Sequence, residues 1–505
     1  MRSSRPAADS SLRTRWLMPA LAATLSLYSG SALAQAAEEA APAPEGEQPP
    51  AAEPAAPAPA PAPAAAPAAA APAPEEPTPA KERVKDEEKP GWKFSFYGTA
   101  ALNVVHDSTQ GVGEGLNNNI LPRPGSYRTE HDQLQFSARD SRVGFRVEAP
   151  EVSGLRVSAR GEVDFRGVTY PEISENDLYV FGGVRMRHFY MEAKNPIVDI
   201  LAGQYDDLFG WGGAGFYPNT VAYLGITGEI FHRNPQIRLT KELELGQVGV
   251  DVAAAAVRPV QRASGMPDFE GGLKIDFDGW KGARTPGYGK VDIGAIALGV
   301  SGIVRRLEPI EFEVDAGDSV GDWAWGYALN ALVPVLPAED KHDVANALTL
   351  TGEYSNGTGI ADMYTELTGG VLWPTLPDLQ GDPIPPIYRP NMDPGIATFD
   401  GEGNLRTINW RAFVVGVQYY LPFWMGRVSV SANYSQLESD NAEQLTPVPN
   451  RQAVYDKATY FDANLFVRLT EDFRVAGSFQ TVEQTFSDHV TTRNNRVQGA
   501  MHFFF

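Results

Sequence analysis

The sequence predicts an all-β fold, a transmembrane antiparallel β-barrel of about 16 strands with 18 possible, behind a disordered Ala/Pro-rich N-terminal linker. Three observations predict it. Between Asn494 and Phe505 the chain alternates, with Val497, Gly499, Met501, Phe503 and Phe505 on one side and Arg496, Gln498, Ala500 and His502 on the other. Beyond residue 34 no apolar run approaches the ~20 residues that a membrane-spanning helix takes, and the mean hydropathy is -0.26. The segments of period two are joined by connections that are by turns short and long.

Period two is the strand signature, because successive side chains leave a strand on opposite faces. A row of exposed phenylalanines invites association in a soluble protein. It suits a barrel whose outer face meets lipid, with aromatics at the interface and polar residues toward a lumen. Phe503 and Phe505 resemble the closing signal of bacterial outer-membrane barrels, which implies the barrel-assembly machinery as a partner. The last strand of a soluble β-sandwich is the alternative reading.

At the start of the chain Arg2, Arg5, Arg13 and Arg15 precede an apolar run from Leu17 to Tyr28, and Ala32-Leu33-Ala34 supplies a small-x-small cleavage site. This predicts an export signal over 1–34. Residues 35–90 are mostly Ala, Pro and Glu, and the alternate prolines around Pro57 to Pro63 forbid helix. The segment reads as a polyproline spacer with a reach on the order of 100 Å, or as an arm toward peptidoglycan. Residues 91–505 remain for the barrel. The chain has no cysteine, so no disulfide framework or thiolate site is available. Its net charge of -21 argues against nucleic acid.

The first strand opens at Gly91. Trp92, Phe94, Phe96, Gly98, Ala100, Leu102 and Val104 face one way, and Lys93, Ser95, Tyr97, Thr99 and Asn103 the other. It must neighbour the last strand, since closure leaves no backbone group unpaired in lipid. The pattern recurs at 155–166, 415–421, 427–434 and 459–469. Short connections lie at 149–154, 422–426 and 469–473; long ones run from His106 to about Asp132, Tyr205 to about Pro235 and Ser355 to about Asn409. Short periplasmic turns and long external loops are the asymmetry of such barrels. A barrel of that size encloses water. Acidic external loops suggest divalent-cation bridges to lipopolysaccharide, alongside the membrane lipid itself.

The lumen is read from the arginines. Arg142 and Arg146 share a face opposite Val143, Phe145 and Val147; Arg156, Arg160 and Arg166 share the polar face of the next strand; Arg238 lies with Gln236 and Thr240. Arg185 and Arg187 share a face whose direction is ambiguous, and at Arg139 the alternation slips. A lipid-facing arginine costs ~2–4 kcal/mol at the midplane, so these line the pore. Arginine's planar fork suits carboxylate and phosphate, and basic walls bias a pore toward anions. Glu162 and Asp164 sit beside Arg160, so transverse charge pairing is the competing reading of the same residues. The Gly- and aromatic-rich loop from Tyr205 to Pro235 is expected to fold inward and narrow the channel, with Asp206, Asp207, Trp211, His232 and Arg233 at the constriction. Packing at an intersubunit contact would suit its aromatics, Phe209, Phe216 and Tyr217 among them, equally well.

Ser137 to Arg146, then Gly161-Glu162-Val163-Asp164-Phe165, Arg185 to Tyr190, Leu201-Ala202-Gly203-Gln204 and Arg233 to Arg238 resemble the DcaP-like porins. The resemblance implies a homotrimeric, sixteen-stranded general porin that favours anions such as dicarboxylates. The Ala/Pro linker replaces the helical segment that usually precedes the barrel in that family. Phosphate- or carbohydrate-selective porins, and a barrel serving as a tether to the cell wall, are the other readings. No HExxH or HxH arrangement occurs, and no enzyme, cofactor or metal site is expected.

Overall fold

The computed structural model describes residues 91–505 apart from 111, 114–120, 168–182, 212–215, 217, 222–225, 260–263, 286–288, 309–320, 366–394, 400–403 and 447. The export signal expected over 1–34, the linker expected over 35–90 and Tyr217 lie outside the described residues.

Alternation sustained over the whole barrel region produces one sheet that closes on itself. Its staves are β1 (Lys93–Asp107), β2 (Gln133–Ser137 and Arg142–Glu148), β3 (Arg156–Gly167), β4 (Gly183–Lys194), β5 (Asp199–Asp206) and β6 (Arg233–Leu245). They continue with β7 (Val248–Val257), β8 (Asp268–Arg284), β9 (Asp292–Leu307), β10 (Asp322–Leu336) and β11 (Leu348–Thr358). The last are β12 (Asn409–Tyr420), β13 (Val428–Ser439), β14 (Tyr455–Arg468), β15 (Phe473–Phe486) and β16 (Thr491–Phe504). Each pairs antiparallel with its sequence neighbours, and β1 pairs with β16, so sixteen staves form a closed barrel. The sequence's figure of about 16 holds.

The two segments of β2 count as one stave because both pair with β1, Ser137 against Asn103 and Arg142 against Thr99. Between them the chain turns, with the N–H of Ser141 donating to the carbonyl of Ala138 at 3.0 Å. The slip in the alternation is this break. At the seam, Ala100 stands opposite Phe503, and Gly98 and Phe505 exchange backbone hydrogen bonds of 3.0 and 3.1 Å. A side chain at Gly98 would run into the Phe505 ring and the carbonyl of Arg142. Glycine is what lets the strands close there.

The outer face is apolar, as the parity predicts. Phe94, Phe96, Val143, Phe189, Ile237, Leu298, Val415 and Leu465 are exposed there. Exposed aromatics gather at the short-turn end (Trp92, Trp280, Phe423, Trp424, Phe503, Phe505) and at the long-loop end (Phe136, Phe269, Trp323, Trp325), the two girdles of a membrane barrel. Among the described residues no helix is long and apolar enough to cross a membrane. The inner face is polar: Thr99, Asn103, Glu162, Asp164, Arg238, Asn433, Asp462, Asn464 and Gln498 are all buried.

Candidate functional site: the lumen

The described parts of the connection between β5 and β6, residues 207–211, 216, 218–221 and 226–232, do not stay outside the barrel. Its first turn is held by Glu270 of β8, whose Oε2 accepts the N–H groups of Leu208 at 2.7 Å and Phe209 at 2.9 Å. Ser301 of β9 accepts the N–H of Gly210 at 2.8 Å. Trp211 lies over Gly272 of β8, where any side chain would collide with the indole. With Leu208 and Phe216 it packs on Ala253, Ala255, Val257 and Leu332.

The middle of the loop reaches strands far round the wall. The carbonyl of Asn219 accepts from Ser431 Oγ at 2.5 Å and Asn433 Nδ2 at 3.0 Å, both on β13. The Thr220 hydroxyl donates to Asp462 of β14 at 2.5 Å, and Asn464 accepts the N–H of Val221 at 3.1 Å. Asp462 also accepts from Tyr460, Asn433 and Asn464, at 2.7 to 2.8 Å for the side-chain donors. The return limb is fixed by Glu353 of β11, which accepts the N–H of Ile230 at 2.8 Å. The backbone of Thr365 and Met363 pairs with Gly228 and Phe231. Buried carboxylates and amides on inward strand positions thus hold the loop inside the barrel.

The arginines occupy a different stretch of wall, β2 to β6. Register sets Arg146 opposite Arg160 and Arg142 opposite Asp164. Glu162 is the hub. Arg160 reaches it at 2.7 Å and Arg187 at 2.7 Å, and Tyr97 of β1 donates to it at 3.1 Å. Asp164 takes Arg185 at 2.6 Å and Arg187 at 3.1 Å. The direction of Arg185 and Arg187 is settled by a bulge: the pairing shifts between Glu162 and Val163, so Arg187 and His188, adjacent in sequence, are both buried. A bulge sets two residues against one, which is why parity alone left this strand ambiguous. The ladder continues through His188 to Asp206 at 3.4 Å, Asp206 to Arg233 at 3.0 Å, and Arg238 over the Tyr205 ring at 5.3 Å.

The expected lumen residues therefore differ in surroundings. Arg187 and Arg238 are buried, Arg160 and Arg185 are about one-third exposed, and Arg146, beside Glu148 at 3.0 Å, is half exposed. Arg156 is exposed at the short-turn end of β3. Arg139 sits in the break of β2 and donates to the carbonyls of Phe165 at 3.0 Å and Gly167 at 3.2 Å. Of the loop residues, Asp207 and His232 meet at 3.0 Å, and Asn234 donates to the same carboxylate at 2.9 Å. Burial alone would push the His232 imidazole down; hydrogen bonding to Asp207, with its charge, outweighs that and raises it. Asp207 and Trp211 are buried, so they brace the loop from behind. Sequence reasoning did not single out Glu270, Glu353 or Asn433 as anchors. Their signal was parity: a carboxylate or amide on a lumen-facing position of a strand.

No family model matches the chain, and none of the curated proteins matches it in sequence. Solved structures do. The outer membrane channel DcaP of Acinetobacter baumannii superposes with a TM-score of 0.58 at 15% identity, covering 82% of this chain and 98% of that one. An anion-selective porin from Comamonas acidovorans gives a TM-score of 0.48 at 10% identity, covering 82% of this chain and all of that one. At such identities the likeness is one of fold. This chain is an outer-membrane β-barrel. A closed, lipid-faced barrel of sixteen strands is a structure of the Gram-negative outer membrane.

Proposed function

We propose that this outer-membrane β-barrel is a porin related to the DcaP-like channels, working as a homotrimer that lets small hydrophilic solutes diffuse passively and favours anions, dicarboxylates among them. The observation that carries the reading is the inward loop. Fastened to β8, β9, β11, β13 and β14, it lies inside the barrel, and in this reading it narrows a water-filled lumen, the design of a diffusion pore. In this reading the solute path runs between this loop and the arginine wall.

The anion preference rests on the gradient of exposure along that wall. Charges screen over about 8 Å at physiological salt, so arginines buried against Glu162 and Asp164 act mainly on their partners. Arg146 and Arg156, the exposed members, act on the solute. Together with Arg142 and Arg160 they raise the local concentration of carboxylates and phosphates without gripping them. Arg139 has a bracing role in this reading. Asp206, Asp207, Trp211, His232 and Arg233 fix the base of the narrowing loop. Phe503 and Phe505 serve assembly.

Reversal potential in planar bilayers under a salt gradient is the test. Wild type is expected to lean toward chloride, less so as salt rises, and Arg156→Glu with Arg160→Glu to move it toward cations. A wild-type pore selective for cations would overturn the anion preference, and the absence of steady current would overturn the porin.

A further inference from the structure

The short-turn mouth is more than a row of hairpin ends. Thr285 and residues 289–291, between β8 and β9, reach across toward β12 and β15. Gln418 accepts the N–H of Thr285 at 3.2 Å, and the Thr285 hydroxyl meets that of Tyr420 at 2.6 Å. Arg474 donates to the carbonyl of Gly289 at 3.4 Å, and Lys290 reaches Asp472 at 2.5 Å. Residues 337–347 are drawn in as well: Val344 and Ala347 are fully buried with Ala283 and Tyr420, and the N–H of Ala338 donates to Lys281 at 3.1 Å.

Where these two segments meet the turns after β12 and β14, they enclose a pocket of about 190 Å³ bordered by Lys290, Lys341, His342, Arg427, Arg468 and Glu471. A single water needs about 10–15 Å³, so a solute of several heavy atoms fits. The balance of charge is positive, and the nearby carboxylates are engaged. Glu471 takes His342 at 2.8 Å and Asp472 takes Lys290. Arg427 and Arg468 donate instead to backbone carbonyls, Leu469 at 3.3 Å and Gly426 at 3.0 Å. A carbonyl satisfies a donor but does not cancel a charge. The buried Nε of Arg468 has no hydrogen-bond partner among the described residues, and an unsatisfied buried donor is costly. An oxyanion would supply both the acceptor and the countercharge, in the planar geometry guanidinium favours.

We propose that this mouth holds a second, saturable binding site for small dianionic oxyanions, with Lys341, Arg427 and Arg468 as its cations. The site stands outside the arginine wall and deepens the porin reading: solute leaving or entering the lumen is held briefly at the short-turn end. Binding can be measured without conduction, so the two readings fail separately. Calorimetric titration of the purified barrel with inorganic phosphate, and with succinate in competition, is the experiment.

Lys341 is exposed on its turn, so its replacement spares the barrel, which heat-modifiable migration checks. Lys341→Gln is expected to weaken phosphate binding about two- to fivefold, the scale of a partly solvated charge pair, and Lys341→Glu to abolish saturation. Arg493→Gln, an outward-facing residue on β16 near the other mouth, is expected to leave it unchanged. Absence of saturable phosphate binding to wild type, or a Lys341→Glu titration identical to wild type, overturns the proposal. Loss of ion current with phosphate binding intact would overturn the porin reading alone.

Discussion

Two stretches of the inner wall start from the same sequence rule and end as opposite environments. On β8, β11 and β14 the lumen-facing carboxylates Glu270, Glu353 and Asp462 are covered by the loop and accept its N–H and O–H groups. On β2 to β4 the carboxylates Glu162 and Asp164 are covered by arginines instead. In the first case the wall's polarity is turned into attachment. In the second it is turned into a charge ladder whose outer rungs, Arg146 and Arg156, stay open to solvent. The difference teaches that a polar face specifies water or a polar partner, and the partner decides the function.

The sharpest way to break the comparison is at the attachment. Asp462 is fully buried and serves Thr220, Tyr460, Asn433 and Asn464 at once. Asp462→Ala removes the acceptor that those donors share, and the expected cost is roughly 3 kcal/mol or more, because hydrogen bonds to a charged group are worth ~1.5–3 kcal/mol each. The heat-modifiability midpoint should fall, and the single-channel conductance should rise as the loop tip is released. A variant with wild-type conductance would show that the loop's position does not depend on this wall.

On the charged wall the expected effects divide. Arg187→Gln leaves the buried Glu162 and Asp164 short of a cation, so stability should drop by ~3 kcal/mol, the scale of breaking a buried pair, with little change in reversal potential. Arg146→Glu with Arg156→Glu should do the reverse, shifting the reversal potential toward cations at nearly unchanged thermal midpoint. Should Arg187→Gln move selectivity more than the exposed pair, the gradient of exposure along the wall would not be what sets it.

The smallest expected effect is a pH dependence of the attachment. Glu229, in the loop itself, is buried near Glu353 and accepts the N–H of Ile226 at 3.0 Å. Burial first, and the Glu353 carboxylate next, raise its pKa well above the usual carboxylate range. The folded chain therefore holds the proton more tightly than the unfolded one. This contribution is fully present below about pH 4, the unfolded value, and is lost as pH rises through the raised one. The raised His232 has the same sign, its contribution fading as pH climbs through its folded value. Thermal midpoints measured across that window should decline gently in wild type and less in Glu229→Gln. A midpoint rising with pH in wild type alone would refute the assignment.

The sequence by itself determined the barrel, because alternation is local. Each residue's face follows from its parity, so Phe94, Val415 and Leu465 outward and Asn103, Asp462 and Gln498 inward could be read without knowing any partner. Chain closure through Phe505, the alternation of short and long connections, and an arginine-bearing face on neighbouring strands follow from the same rule. Only the tertiary structure decided what the chain does where parity fails, turning at the break between Ser137 and Arg142 and bulging where Arg187 and His188 are buried together. It also decided which wall the loop covers, why Trp211 lies against Gly272, and how Lys290 and Val291 meet the turns near Arg427 and Arg468. The physical reason is range. A strand's facing is fixed within two residues, whereas a buried carboxylate takes its meaning from partners on other strands and loops, 21 positions away for Asp164 and Arg185 and 242 for Asp462 and Thr220.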